Sequence, residues 1–197
     1  MTFDLFTIGH SNHSFDRFVA LLRDAGVTAI ADVRSTPFSR RYPWFSQRPL
    51  SETLMRNDFS YVWLGDSLGG RPSDPALLRD GVADYEAIAA TPAFQEGLAR
   101  VMEGRKRYCI CLLCAEREPL DCHRCLLVTR ALAERGLAIG HILADGRVEP
   151  HTNTEDRLLQ MVREPDDLFS DRSDRLARAY RKRAQTHAYR GPPAAPS

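Results

Sequence analysis

The 197 residues, 43% hydrophobic and 27% charged, are enough for one domain with a substantial buried core. The 27 basic and 26 acidic side chains leave a formal charge of +1, so no overall field draws the chain to nucleic acid or to a membrane, and any such attraction must be local. No apolar run reaches the roughly 18–20 residues of a membrane span, no secretion signal is present, and five cysteines suit free thiols in a reducing compartment, so a cytoplasmic protein without a disulfide framework is expected.

Phe3–Ile8 is β-rich, and the polar turn Gly9-His10-Ser11-Asn12-His13 leads to Ser14, a helix N-cap. Phe15, Phe18, Leu21, Leu22 and Ala25 then recur at helical spacing until Gly26 stops the pattern. Val27–Val33 is a second strand, which makes the start of the chain a βαβ unit with parallel strands. Arg34–Pro49 is a long loop in which Arg34, Arg40, Arg41 and Arg48 alternate with Phe38, Tyr42, Trp44 and Phe45; long loops of this kind tend to be functional. A short helix over 51–57 and a third strand over 61–64 follow, ending in Gly65-Asp66-Ser67-Leu68-Gly69-Gly70-Arg71-Pro72.

Thr91-Pro92 caps a helix whose buried face is Phe94, Leu98, Val101 and Met102. Tyr108–Leu113 is continuously apolar, the mark of a central strand covered on both faces. Asp121 is expected to cap the next helix, Leu126 to Ala133; Ala138–Leu143 is a last strand, and Thr154 begins a shorter helix. The composition shifts after Glu164-Pro165: Arg172, Arg175, Arg178 and Lys182 would share one side of a helix, and Gly191–Ser197 is expected to be disordered. The expected fold is α/β, a three-layer sandwich with a mostly parallel sheet of about five strands, Rossmann-like without the dinucleotide fingerprint. Residues 1–164 form the domain, and 165–197 a basic helical segment with a disordered tail.

In parallel α/β sheets ligands bind beyond the carboxyl ends of the strands. That rule gathers His10 and Ser11 after strand one, Arg34 after strand two, Asp66 and Gly69-Gly70 after strand three, and Cys114 to Arg124 after strand four. Each has a plainer reading: His10 bonded to a backbone carbonyl, Arg34 paired with Asp32 or Glu116, and Cys109, Cys111 and Cys125 as core. Cys114, Glu116, Cys122, His123 and Arg124 crowd a loop that ends at a helix N-terminus, where free N–H groups favour an anion and lower a thiol pKa. Arg124 and Arg34 are the candidates to grip a phosphate or carboxylate.

Leu120 stands where a cysteine phosphatase would need an arginine six positions after Cys114, and neither a Gly-x-Gly-x-x-Gly nor a Gly-Lys-Ser/Thr pattern occurs. Cys114, Cys122, His123 and His10 are a conceivable zinc set, but the spacing lacks paired Cys-x-x-Cys knuckles, so no metal and no other cofactor is expected.

Gly9-His10-Ser11, Asp32-Val33-Arg34 with Pro37 and Ser39, Leu68-Gly69-Gly70, Cys114-Ala115-Glu116 with Pro119, and Cys122-His123-Arg124 resemble the bacterial family called domain of unknown function 488, over about residues 3 to 160. The resemblance implies a compact cytoplasmic α/β domain whose motif residues share a pocket, and it implies no reaction.

Two functions follow. The first is an enzyme acting on a phosphate-bearing ligand, that is a nucleotide, nucleoside derivative or nucleic-acid end. In it Cys114 (or Cys122) is the thiolate, Glu116 or His10 the base or acid, and Arg34, Cys122, His123, Arg124, Ser11 and Ser39 form the anion site. The second is a non-catalytic nucleic-acid-binding module using the Arg/aromatic loop 34–48 and the basic tail. A redox pair of Cys114 and Cys122 is a third reading. No membrane partner is expected, and the oligomeric state is not legible.

Overall fold

A computed structural model describes residues 2–164 and 170–192 of the chain. In order the elements are β1 (Leu5–Gly9), α1 (Phe15–Asp24), β2 (Ala29–Asp32), α2 (Gln47–Arg56), β3 (Ser60–Trp63), α3 (Gly65–Leu68), β4 (Leu78–Arg79), β5 (Val82–Ala83), α4 (Tyr85–Ala89), α5 (Pro92–Gly104) and β6 (Ile110–Cys114). A π-helical stretch, Arg124–Thr129, runs into α6 (Arg130–Ala133), followed by β7 (Ile139–Ile142), β8 (Val148–Pro150), α7 (His151–Met161) and α8 (Arg172–His187).

Six strands form one sheet in the order β3-β2-β6-β1-β7-β8. The first five are mutually parallel and β8 runs antiparallel to β7. The sheet is thus one strand wider than expected. Val148–Pro150 returns from β7 through a tight turn at Gly146 (φ +98°), a strand too short to show alternation in the sequence. β6 lies between β1 and β2 with all five residues buried, as its apolar run requires.

Side-chain alternation divides the core between the two faces. Phe6, Ile8, Ile30, Cys111 and Leu113 pack under α1 and α2 with Phe18, Leu22, Leu50 and Leu54. Leu5, Ala31, Val33 and Leu112 pack under the later helices with Leu68, Phe94, Leu98, Leu126, Leu158 and Tyr180. This is a three-layer α/β sandwich. Its helix starts follow local chemistry: Ser14 Oγ accepts from Arg17 N at 3.2 Å at α1, and Thr91 Oγ1 from Phe94 N at 3.3 Å at α5.

Asp121 does not cap the helix after β6. It ends the 3-10 turn Pro119–Asp121, and its carboxylate pairs with Arg183 of α8. α8 packs on α7 and buries Ala179 and Tyr180 in the same core as Leu126 and Leu158. The expected disorder falls, for residues 193–197, outside the described residues. Among the described residues no helix is long and apolar enough to cross a membrane.

Candidate functional site

Because the five parallel strands point the same way, their carboxyl ends form one edge, and the backbone ladder of β1 and β6 continues past it: His10 N donates to the Cys114 carbonyl and Ser11 N to that of Ala115, each at 2.9 Å. Gly9 is required here, since a Cβ on it would lie 1.8 Å from the Glu116 carbonyl oxygen. Gly70 lets the next loop close on the same point; a Cβ there would meet the His123 Cβ at 2.6 Å. The result is a cavity of about 400 Å³ whose lining includes His10, Arg34, Ser35, Phe38, Ser39, Arg71, Tyr85, Cys114, Glu116, Asp121, Cys122, His123, His187 and Tyr189.

The floor is a carboxylate shared by two thiols. Cys114 Sγ donates to Glu116 Oε2 at 2.9 Å and Cys122 Sγ to the same oxygen at 3.0 Å. Burial pushes the Glu116 carboxyl up, but the two thiol hydrogen bonds, a backbone N–H and His123 together outweigh it and hold the pKa down at about 2. Burial, and then the Cys114 thiol beside it, push the Cys122 thiol well above its ordinary range. His123 Nε2 donates to the Val33 carbonyl at 2.8 Å, so in the neutral ring the lone pair is on Nδ1, which lies 3.6 Å from Cys114 Sγ and 3.9 Å from Cys122 Sγ. Burial works against a charge on His123, and the Cys122 thiol raises its pKa despite that.

His10 stacks on Phe45, ring centroids 4.4 Å apart, and its Nδ1 is 3.1 Å from the Ser11 carbonyl. Burial and the neighbouring Arg34 lower its pKa to about 4, so near neutral pH the ring is uncharged, with Nδ1–H donating and Nε2 free to accept a proton. The plain reading of its carbonyl bond and the catalytic reading therefore coexist.

The two arginines expected to hold an anion are placed differently. Arg34 lines the cavity, yet its Nε and Nη2 clasp both oxygens of Asp32 at 2.8 and 2.6 Å and its Nη1 donates to the Phe45 carbonyl at 2.8 Å. Arg124 is fully buried and does not line the cavity: Nη1 donates to the Glu116 carbonyl at 2.5 Å, Nη2 to that of Arg117 at 3.2 Å, and Nε to Thr7 Oγ1 at 3.3 Å. It moulds the loop that carries Glu116 instead of facing solvent. Ser11, in the left-handed region at φ +46°, also lies outside the lining.

The exposed cation at the site is Arg71, which sequence reasoning passed over within the Gly69-Gly70-Arg71 turn. Its guanidinium lies over the Tyr189 ring at 5.6 Å, and among the described residues it pairs with no carboxylate. Tyr189 and His187 reach the cavity because Arg183 and His187 both contact Asp121, and because the chain end joins β4–β5: Ala83 N donates to the Tyr189 carbonyl, and Gly191 N to that of Gly81, each at 2.8 Å. No local motif signals that return.

A parallel α/β sandwich with a polar, thiol-bearing cleft at the carboxyl edge of its sheet defines the class of this protein. A family model described as Domain of unknown function DUF488 matches residues 14–131, and the chain belongs to that family. A search of curated proteins gave no match. The matched segment carries Arg34, Ser39, Arg71 and the Cys114–Arg124 loop, whereas His187 and Tyr189 lie beyond it.

Proposed function

We propose that the protein is an enzyme acting on a phosphate-bearing ligand, namely a nucleotide, nucleoside derivative or nucleic-acid end, in the cavity above Cys114 and Glu116. The observation that carries this reading is the division of one cavity into a reactive floor and an uncommitted cationic rim: two thiols on an ionised Glu116 and a neutral His10 below, Arg71 above. Arg71 meets the phosphate as a planar fork. Ser35 Oγ and Ser39 Oγ each accept a backbone N–H at 3.1 Å, from Arg71 and Tyr42, which fixes both oxygens and leaves their hydroxyl hydrogens to donate to an anion. Phe38, 67% exposed, offers a flat apolar face at the rim for a base. Cys114, whose thiol donates to Glu116 Oε2 at 2.9 Å, is the nucleophile of this reading, and the neutral His10 is its acid or base, while Glu116, held at about pKa 2, stays ionised and orients the thiols.

In a thermal-shift screen of purified protein against nucleotides and phosphate monoesters, at least one compound is expected to stabilise the wild type. Arg71→Ala should weaken that compound about tenfold or more, the scale of one charge-assisted hydrogen bond. No stabilisation by any phosphate compound, or equal stabilisation of the variant, would overturn the reading.

The alternative, a non-catalytic nucleic-acid module, keeps the exposed Phe38 and Trp44 beside Arg40 and Arg41. It draws less from α8, whose basic stripe has partners within the chain: Arg172 pairs with Asp156 at 2.8 Å, Arg178 with Glu164 at 2.5 Å, and Lys182 donates to the Val162 carbonyl at 2.7 Å.

A further inference from the structure

We infer that Cys114 Sγ, Cys122 Sγ and His123 Nδ1 form a binding site for one zinc-class divalent ion, with Glu116 at the fourth position on the cavity side. This goes beyond the phosphate-ligand reading and does not depend on it; in the metal-bound form Cys114 is a ligand and not a free nucleophile.

The three ligand atoms all lie within 4.8 Å of one another. In a tetrahedral site with metal–sulfur bonds of about 2.3 Å and metal–nitrogen bonds of about 2.0–2.1 Å, sulfur and nitrogen are about 3.6 Å apart. The two separations here, 3.6 and 3.9 Å, lie within about 0.3 Å of that edge length. The imidazole is preset for ligation: its Nε2–H is fixed on the Val33 carbonyl at 2.8 Å, the outer hydrogen bond that metal-bound histidines ordinarily make, and this turns the Nδ1 lone pair toward both sulfurs. Glu116 Oε2, at 2.9 and 3.0 Å from the sulfurs, is nearer than the roughly 3.5 Å of a shared tetrahedron, so it retreats by about half an ångström as the ion enters.

Charge balance supports the same assignment. Arg124 is a fully buried cation whose donors go to two carbonyls and a hydroxyl, so its compensating charge comes from the neighbouring cluster. Two thiolates, one carboxylate and one divalent ion sum to one negative charge, which Arg124 neutralises, and its backbone N–H, 3.4 Å from Cys122 Sγ, points at a ligand sulfur.

A second triad, Cys125, His141 and His151, shows what such a grouping looks like when it is not preset. All four of its ring nitrogens are spent within a buried chain from Thr7 through His141 and His151 to Tyr180. Spacing along the sequence pointed away from a metal because the ligands do not form Cys-x-x-Cys knuckles; the fold brings Cys114 and the Cys122-His123 pair together from the two ends of one loop.

The test is equilibrium dialysis of the full chain against zinc, read by elemental analysis, together with cobalt(II) loading read by absorption. One equivalent of zinc per chain is expected, and cobalt should show tetrahedral ligand-field bands with thiolate charge transfer. Cys122→Ser should lose affinity by at least about tenfold, while Cys109→Ser keeps it. Less than a tenth of an equivalent bound to folded wild type, a cobalt spectrum without thiolate charge transfer, or unchanged affinity in folded Cys122→Ser would overturn the assignment. Cobalt spectra of the wild type decide the matter even if Cys122→Ser does not fold. Phosphate binding by metal-free protein, measured in parallel, separates a failure of this site from a failure of the functional reading.

Discussion

Arg124→Met is expected to lower the unfolding free energy by about 3 kcal/mol or more, a large loss for one side chain. Methionine matches the stem of arginine but donates nothing. The Glu116 and Arg117 carbonyls would each lose a partner inside the protein, at a cost of about 1–3 kcal/mol per group left unsatisfied, while Thr7 Oγ1 loses Arg124 but keeps His141. Because the Glu116 carbonyl sits against Gly9 and Arg124, the loop bearing the Glu116 carboxylate should lose its fixed position, so ligand binding should fall together with stability. Urea unfolding of the two proteins checks this. A change below about 0.5 kcal/mol, the range of ordinary surface substitutions, would mean that Arg124 is not the keystone its burial indicates.

Acid should destabilise the fold well above the pH at which carboxylates protonate. Burial lowers the pKa of His10 and of His151 from 6.5 to about 4, and holds that of the fully buried His141 well below its ordinary value. The sign follows from which state binds the proton: the unfolded chain protonates these rings near 6.5, and the folded protein resists until about 4. Stability is therefore complete above pH 6.5 and falls as the pH drops toward 4, by up to about 3 kcal/mol each for His10 and His151 at 1.36 kcal/mol per unit. Glu155, whose pKa is raised chiefly by burial, and His123, whose pKa the Cys122 thiol raises against the effect of burial, oppose the trend, since each binds its proton more readily in the folded state. His141 and His151 also have no spare nitrogen for a second proton, since each ring already bridges two partners between Thr7 and Tyr180. Urea midpoints measured between about pH 7.5 and 4.5 should decline steadily; a flat profile would show that these histidines do not stay neutral in the folded state.

Much of the architecture was written in local chemistry. Ser14 and Gly26 bracket α1, Thr91-Pro92 opens α5, and the apolar run ending at Cys114 announces the central strand, because caps and burial patterns act within a few residues. The shared edge of the parallel strands then brought His10, Arg34, Ser39, Cys114, Glu116, Cys122 and His123 to one cavity. What escaped depends on distant partners. Arg124 looks like an exposed helix-start residue until the Glu116 loop is seen folded over it, and Asp121 looks like a helix cap until α8 supplies Arg183. His187 and Tyr189 enter only through the pairing of the chain end with β4–β5, and no periodicity in residues 187–191 records that pairing. For Arg71 a signal did exist: two glycines in succession before an arginine mark a backbone pressed against a neighbour, and the neighbour proves to be His123.

The most direct measurement of the central claim is a crystal structure of the protein with the phosphate compound that stabilises it most. The account predicts phosphoryl oxygens within about 3 Å of the Arg71 guanidinium and of the Ser35 or Ser39 hydroxyl, above the Cys114–Glu116 floor. Density for the compound in the groove lined by His151 and Tyr180, or a cavity left without it at saturating concentration, would contradict the account.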